Sequence, residues 1–418
     1  MRTQRFYFSF AVLASFSLFF AHRLESEFLW PIIQPLEESG ELSSLIEERI
    51  IEIRSLSESL RPLIQKEALK HQKFLARFWS IFSIGRLNLE SEGAAAAYAL
   101  YNPENEPLYI IKPTDECVFC LNNPKHYASP FVESRYPVKN HIPLYRSAQT
   151  DAFCYELAKT CGIMHITPQT VLSLLSHTQF FYLYPEIEKN QIPEKLCSIQ
   201  EYLKNTFSLR KILQEIFTLH LSEKEIQERF DQEDFEDLTF FLWLTSDIDA
   251  HVENFRAYIK YVSAEGNPIY GLRKIDNSLS FPEINAGFSN ALMYFPNALL
   301  PLSNRTRSQI HSLPLEKIQE LMSTYRLESS YKAFEERIFT LQKAIEKENI
   351  TYYECGLRLA LLSTSEGKKL AVKNCSLKLL EHLAKDLIKI QHISHPEKLE
   401  KQDLLKLPFT SISLDGNT

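Results

Sequence analysis

A chain of 418 residues with 44% hydrophobic and 12% aromatic content can bury the core of one large bilobal domain with helical additions, which places it among globular proteins. Its net charge of −7, with no basic stripe able to neutralise several phosphates, argues against nucleic acid as a partner. Seven scattered cysteines, an odd number, do not form the framework of a secreted disulfide scaffold.

The N-terminus, MRTQRFYFSFAVLASFSLFFAHRLES, carries two arginines and then an uncharged, mostly apolar run from Phe6 to Ala21. Residues 1–24 are therefore expected to be a secretory signal or a short membrane anchor. Arg2 and Arg5 outweigh the mixed flank of Arg23, Glu25 and Glu27, so the rest of the chain is expected outside the cytoplasm. In residues 41–84, Leu42, Leu45, Ile46, Ile50, Ile53, Leu56, Leu60 and Leu63 recur at helical spacing. That pattern predicts an amphipathic helix up to Pro62 and a second one beyond it. With fewer than four clean heptads, it is expected to pack on a neighbouring lobe rather than to form a coiled coil.

From 87 to 116, LNLESEGAAAAYALYNPENEPLYIIKPTDE reads as a strand, a small-residue turn at Gly93, a strand through Tyr98 and Tyr101, a Pro/Asn turn, and a strand carrying Lys112. TDAFCYELAKTCG (150–162) reads as a helix. FRAYIKYV (255–262) and IYGLRKI (269–275) flank SAEGNP as a β-hairpin. Beyond 305 the periodic, charged segments predict further helices, and residues 366–418 a helical tail with a polar end.

Asp249, His251 and Asn254 precede that hairpin, and Asp276 follows it. An Asp followed five residues later by Asn, then by a second Asp after a hairpin, is the spacing by which a protein kinase sets its base and magnesium ligands. Such chemistry also requires a phosphate-covering turn and a cation earlier in the chain, and Gly93 and Lys112 supply both in that order. CVFC (117–120) lacks a second pair or a histidine partner, so it is read as two thiols rather than a zinc site.

These segments together resemble the phosphatidylinositol 3-/4-kinase superfamily, closest to its type II phosphatidylinositol 4-kinase and plant gamma-type branch. IIKPTDE followed by NNPK (122–125) resembles that branch's Phe-Lys-Pro, paired acids and Asn-Pro-Lys. ITPQTVL (166–172) and CSIQEYL (197–203) are similar to its Val-Pro-Pro-Thr and Gly-Ser-Leu-Gln-Glu-Phe-Val segments. DAHVEN (249–254) stands where it has Asp-Arg-His-x-x-Asn, and KIDNSLSFPE (274–283) where it has Ile-Asp-His-Gly-Leu-x-x-Pro. YFPNALLPLS (294–303) and ITYYECG (350–356) continue the order, so that the matches span about residues 85–365.

The resemblance implies an α+β, bilobal kinase-like fold: a small β-rich N-lobe (about 85–203), a larger mainly helical C-lobe (about 204–365), and the helical segment ahead of them. It implies that Lys112 pairs the phosphates of ATP, that Asp249 positions or deprotonates the acceptor hydroxyl, and that Asn254 and Asp276 hold Mg2+. His251 would orient or stabilise charge, or serve as a hydrogen-bonded structural histidine. The acidic partner of Lys112 should lie on the 150–162 helix, where Glu156 and Asp151 both qualify.

Departures from the pattern are the alanines after Gly93, which cannot take the positive φ of glycine and are expected to weaken nucleotide binding, Ala250 in place of Arg, and Asn277 and Ser278 in place of His and Gly. The clustered palmitoylated cysteines of the animal enzymes are missing. The acceptor implied first is a phosphoinositide, with membrane association; the alternatives are a protein serine/threonine kinase and a pseudokinase scaffold. An exported ATP-dependent enzyme must reach an ATP-containing compartment, such as a host cell.

Overall fold

The computed structural model describes residues 41–93, 95–117, 120, 122–125, 142, 145–181, 194–285, 290–373 and 375–392. The hydrophobic N-terminal run and the polar C-terminal end, with the targeting and tail expectations that fall on them, lie outside the described residues. Among the described residues no helix is long and apolar enough to cross a membrane.

The expected break at Pro62 does not occur: one helix, α1 (Glu41–Lys70), runs through it and stops at His71, where α2 (Gln72–Phe82) begins. Proline removes one intrahelical donor, but Pro62 and Glu58 are both exposed, so water can satisfy the carbonyl left over. Leu75 and Phe78 form the buried stripe of α2. That stripe covers one face of a five-stranded antiparallel sheet ordered β1-β2-β3-β5-β4. The strands are β1 (Arg86–Leu89), β2 (Tyr98–Tyr101), β3 (Pro107–Pro113), β4 (Thr170–Leu175) and β5 (Lys195–Glu201).

Strand alternation puts Tyr109 and Ile111 of β3 on the face beneath α2, where the Phe78 ring meets Tyr109 edge-on at 5.3 Å. Ile110 and Lys112 therefore look to the opposite face. Helix α3 (Ser147–Thr160) covers that face through Ala148, Ala152 and Leu157, packed with Leu172 and Leu196.

The larger lobe begins with β6 (Phe207–Ser208), α4 (Leu209–Thr218), α5 (Glu223–Glu228) and α6 (Gln232–Thr245). Asp231 caps α6 by accepting from the Asp234 amide at 2.9 Å, and Glu233 and Asp234 add negative charge to its first turn. Every residue from Asp234 to Thr245 is buried, and Trp243 stacks on Tyr352 at 5.7 Å. The helix ends at Ser246, whose φ of +47° turns the chain sharply into the segment holding Asp247 and Asp249. The hairpin β7 (Phe255–Val262) and β8 (Pro268–Lys274) follows, with Phe255 opposite Lys274. Helices α7 (Asn304–His311), α8 (Leu315–Thr324), α9 (Tyr331–Ala344), α10 (Tyr352–Ala360), α11 (Ser365–Ala371) and α12 (Leu377–His392) complete the lobe.

A small antiparallel sheet with one helix inserted between its third and fourth strands, joined to a larger helical lobe bearing a hairpin, is the expected α+β arrangement of a small sheet lobe and a larger helical lobe. Its cleft is bordered by β3, α3 and the two segments flanking the hairpin.

Candidate active site

Lys112 leaves β3 on the cleft side, and its Nζ lies 2.9 Å from Asp276 Oδ1 and 3.3 Å from Asp151 Oδ2. Burial works against the ammonium, but Asp151 and then Asp276 outweigh it and hold its pKa above the ordinary value. Asp151 also accepts from the Asn277 amide at 2.7 Å and from Ser198 Oγ at 3.2 Å. Burial nonetheless pushes Asp151 up. For Asp276, burial is overcome by Lys112 and then Lys274, so its carboxyl is held below the usual range. Only 1% of the Asp151 side chain is exposed, against 35% for Asp276 and 32% for Asp249. A ligand can therefore reach Asp276 and Asp249, whereas Asp151 is the buried support.

The partner of Lys112 is thus Asp151. Glu156 faces elsewhere: it binds Lys70, and its Oε1 lies 3.1 Å from His71 Nε2, both on the helical extension. Although burial opposes ionisation, His71 and Lys70 hold the Glu156 carboxyl down at about 2.

Sequence reasoning gave no role to Lys274 or Asp247, which join the two loops of the cleft. Lys274 is fully buried at the end of β8, in an ion pair of 2.7 Å with the equally buried Asp247. Its Nζ also donates to the carbonyls of Ile275 and Asp276, at 2.7 and 2.6 Å. Asp247 Oδ1 in turn accepts from the Asp249 amide at 2.7 Å. One buried pair therefore fixes the backbone on both sides. A lysine closing an otherwise apolar strand, with an Asp two residues ahead of Asp249, is the only trace of this strut in the sequence.

Asp276 sits at φ +55°, a left-handed conformation that costs an L-residue about 1 kcal/mol and that Asp tolerates better than most. Lys274 on its carbonyl, with Lys112 and the Ser278 hydroxyl (2.7 Å) on its Oδ1, hold it there. Ser278, a departure from the resembled pattern, thus supports Asp276 through its hydroxyl, whereas Asn277 supports Asp151 through its backbone amide alone.

On the facing segment, Asn254 Nδ2 donates to the Asp249 carbonyl at 2.8 Å and to its Oδ2 at 3.2 Å. The Asn254 carbonyl accepts from the Ile275 amide at 2.9 Å, so this segment is tied directly to the one bearing Asp276. His251 is half-exposed, its Nε2 3.6 Å from Asp249 Oδ2 and 3.3 Å from Asn254 Nδ2, and its Nδ1 accepts from the Glu253 amide. Ala250 is buried, and its carbonyl accepts from the Ala291 amide at 3.1 Å.

Gly93, at φ +77°, is the left-handed residue of the β1–β2 turn. Lys125 Nζ closes the turn by donating to the carbonyls of Glu92 and Gly93, at 2.6 and 2.9 Å. The Ala96 amide is committed to the Glu116 carbonyl at 3.0 Å and so is not free for phosphate. Asp115 and Glu116 serve structure: Lys195 lies 2.9 Å from Asp115 and 2.5 Å from Glu116, which also accepts from Tyr98. The thiols of Cys117 and Cys120 are 2.7 Å apart. Among the described residues, the His/Cys/Asp/Glu group with metal-ligand spacing is Glu67, His71 and Glu156.

No family model matches this chain, and no curated protein does. Among solved structures, a Golgi casein kinase is similar over 65% of this chain and 72% of its own, with 11% identity and a TM-score of 0.38.

Proposed function

We propose that this chain is an ATP- and Mg2+-dependent phosphotransferase acting on a hydroxyl acceptor. The reading is carried by the convergence of Lys112, Asp151 and Asp276 on the segment that bears Asp249 and Asn254. A largely buried ammonium held between one buried carboxylate and one that a ligand can reach is suited to phosphoryl transfer, where catalysis consists of positioning and charge stabilisation. Lys112 would meet the phosphates and Asp249 would orient the hydroxyl and take its proton. The oxygens of Asp276 and Asn254 are hard donors of the kind Mg2+ takes, and the hydrogen bonds of Asn254 run from its nitrogen. When bound, the ion would neutralise charge on the transferred group.

The favoured acceptor is phosphatidylinositol, supported by the collinear motifs; a protein hydroxyl is the second reading. The proposed setting is a membrane or an exported state reached through residues 1–24, in a compartment holding ATP. The test is Mg2+-dependent transfer from labelled ATP by the full chain, offered phosphatidylinositol vesicles and a generic protein acceptor in parallel, with Asp249→Ala as control. Label in lipid that vanishes in the control is expected. Label in protein alone selects the second reading, and neither transfer nor Mg2+-ATP binding would leave a pseudokinase.

A further inference from the structure

The helical extension meets α3 through a polar cluster outside the cleft: Glu67, Lys70 and His71 on one side, Glu156 on the other. Glu67, His71 and Glu156 are 3%, 6% and 3% exposed, so their charges are removed from water. Glu67 Oε2 has no hydrogen-bond partner although it is buried, and it lies 3.6 Å from His71 Nε2. The buried Tyr325 hydroxyl stands beside Glu67, toward which it can turn its proton, and it feels the charge of both carboxylates. Buried carboxylate oxygens are seldom left unmatched, since each costs about 1–3 kcal/mol or more when charged.

We propose that Glu67, His71 and Glu156 form a binding site for a divalent transition cation of the zinc type, which staples the helical extension to α3. Glu67 and His71 are four residues apart and so project from the same side of the helical segment. Bonds of about 2.0–2.1 Å in tetrahedral geometry set ligand atoms roughly 3.3 Å apart. The observed separations are 3.1 Å from His71 Nε2 to Glu156 Oε1 and 3.6 Å from His71 Nε2 to Glu67 Oε2. All three ligand atoms fall within 4.8 Å of one another.

The surroundings supply what metal ligands need. Gln169 Nε2 lies 3.0 Å from His71 Nδ1; with the amide turned over, so that its carbonyl faces the ring, it would accept the Nδ1 proton and leave Nε2 for the cation. Lys70 takes Glu156 Oε2, leaving Oε1 for the cation. Two carboxylates against one ammonium leave net negative charge for the ion to neutralise. His71 and the two carboxylates are also ligands this class of ion accepts. The site differs from the Mg2+ site proposed above in place and in ligand type.

The test is elemental analysis of the full-length chain after chelation, reloading with zinc and removal of excess ion, together with its melting temperature. One zinc per chain is expected, and a melting temperature about 5 °C higher at a hundredfold excess of zinc over its dissociation constant. Glu67→Gln and His71→Ala should each lose the bound zinc, whereas Asp276→Asn should keep it. Should the variants fail to fold, cobalt reloading of the wild-type chain reads the same site, by visible bands of tetrahedral cobalt. Zinc retained by both variants, or a chelated chain that neither takes up zinc nor melts higher with it, would overturn the site and leave a histidine–glutamate hydrogen-bonded cluster.

Discussion

Replacing Lys274 by Met keeps the length of the side chain but removes the charge that joins the two loops of the cleft. Asp247 is left fully buried, with its remaining bond to the Asp249 amide, and the Ile275 and Asp276 carbonyls lose their shared donor. Breaking a buried ion pair on one side costs about 3–5 kcal/mol, and we expect a loss of about 4 kcal/mol at pH 8. With an m-value of about 3 kcal/mol/M, the urea midpoint followed by tryptophan emission should fall by more than about 1 M. The pH dependence gives an independent check. Burial already pushes Asp247 up while Lys274 opposes it, so without Lys274 its folded pKa rises further. An acid whose folded pKa is raised contributes stability that is present below its unfolded pKa and lost as pH rises through the folded one. The deficit of the variant should therefore shrink on going from pH 8 to pH 5.

The double variant Lys274→Met/Asp247→Leu separates stability from positioning. An apolar pair can match a buried ion pair in stability, so much of the loss should be recovered. In the double variant the anchors on the Asp249 amide and the Asp276 carbonyl are both absent, so Mg2+-dependent turnover should stay low. A single variant that loses less than about 1 kcal/mol, or a double variant with wild-type turnover, would refute the strut.

Asp151→Asn should lower kcat/KM for ATP by about tenfold to a hundredfold, the loss of a charge-assisted bond of about 1.5–3 kcal/mol; unchanged ATP kinetics would leave Asp151 with a structural role only. Gly93→Ala should lower stability by about 1 kcal/mol through its φ of +77° alone, because an added Cβ meets nothing within 4 Å, and chemical denaturation measures it. Gly271→Ala should be far more damaging in the same assay, since its Cβ would stand 2.3 Å from Asp234 Oδ2 and 2.4 Å from the Tyr258 ring. His165 is raised above its ordinary pKa, first by bonding to Asp234, so its stabilisation is present below the unfolded value of about 6.5 and is lost as pH rises through the folded one. The ring is 41% exposed, so His165→Gln should cost no more than about 1 kcal/mol at pH 6, and less at pH 8.5; a difference that does not vary with pH would remove the charge from the account.

The strands around Gly93 and Lys112 and the 255–274 hairpin were legible because period-two alternation and turn residues are local signals. The stop of α1 at His71 was not. Proline marks a break locally, but whether a helix tolerates it depends on which face is wet, and Pro62 lies on the exposed face. Lys112, Asp249, Asn254 and Asp276 could be named from their order in the chain. Lys274 and Asp247 could not, because a buried ion pair between residues 27 positions apart leaves no periodic trace.

The choice between Asp151 and Glu156 shows why the sequence stopped short. Five residues along a helix amount to about 140° of rotation and roughly 7.5 Å of rise, so the two acids cannot serve the same partner. Both are buried, and helix α3 has acids on two faces, each matched by a different element. The face with Asp151 meets β3 and the loop after β8, while the face with Glu156 meets the extension at Lys70 and His71. Sequence fixes the angle between the faces but not the rotation of the helix, which is set by where Ala148, Ala152 and Leu157 pack. Since one rigid helix carries both contacts, any shift of the extension that turns α3 also moves Asp151 relative to Lys112. The extension therefore helps to set the geometry of the cleft without entering it.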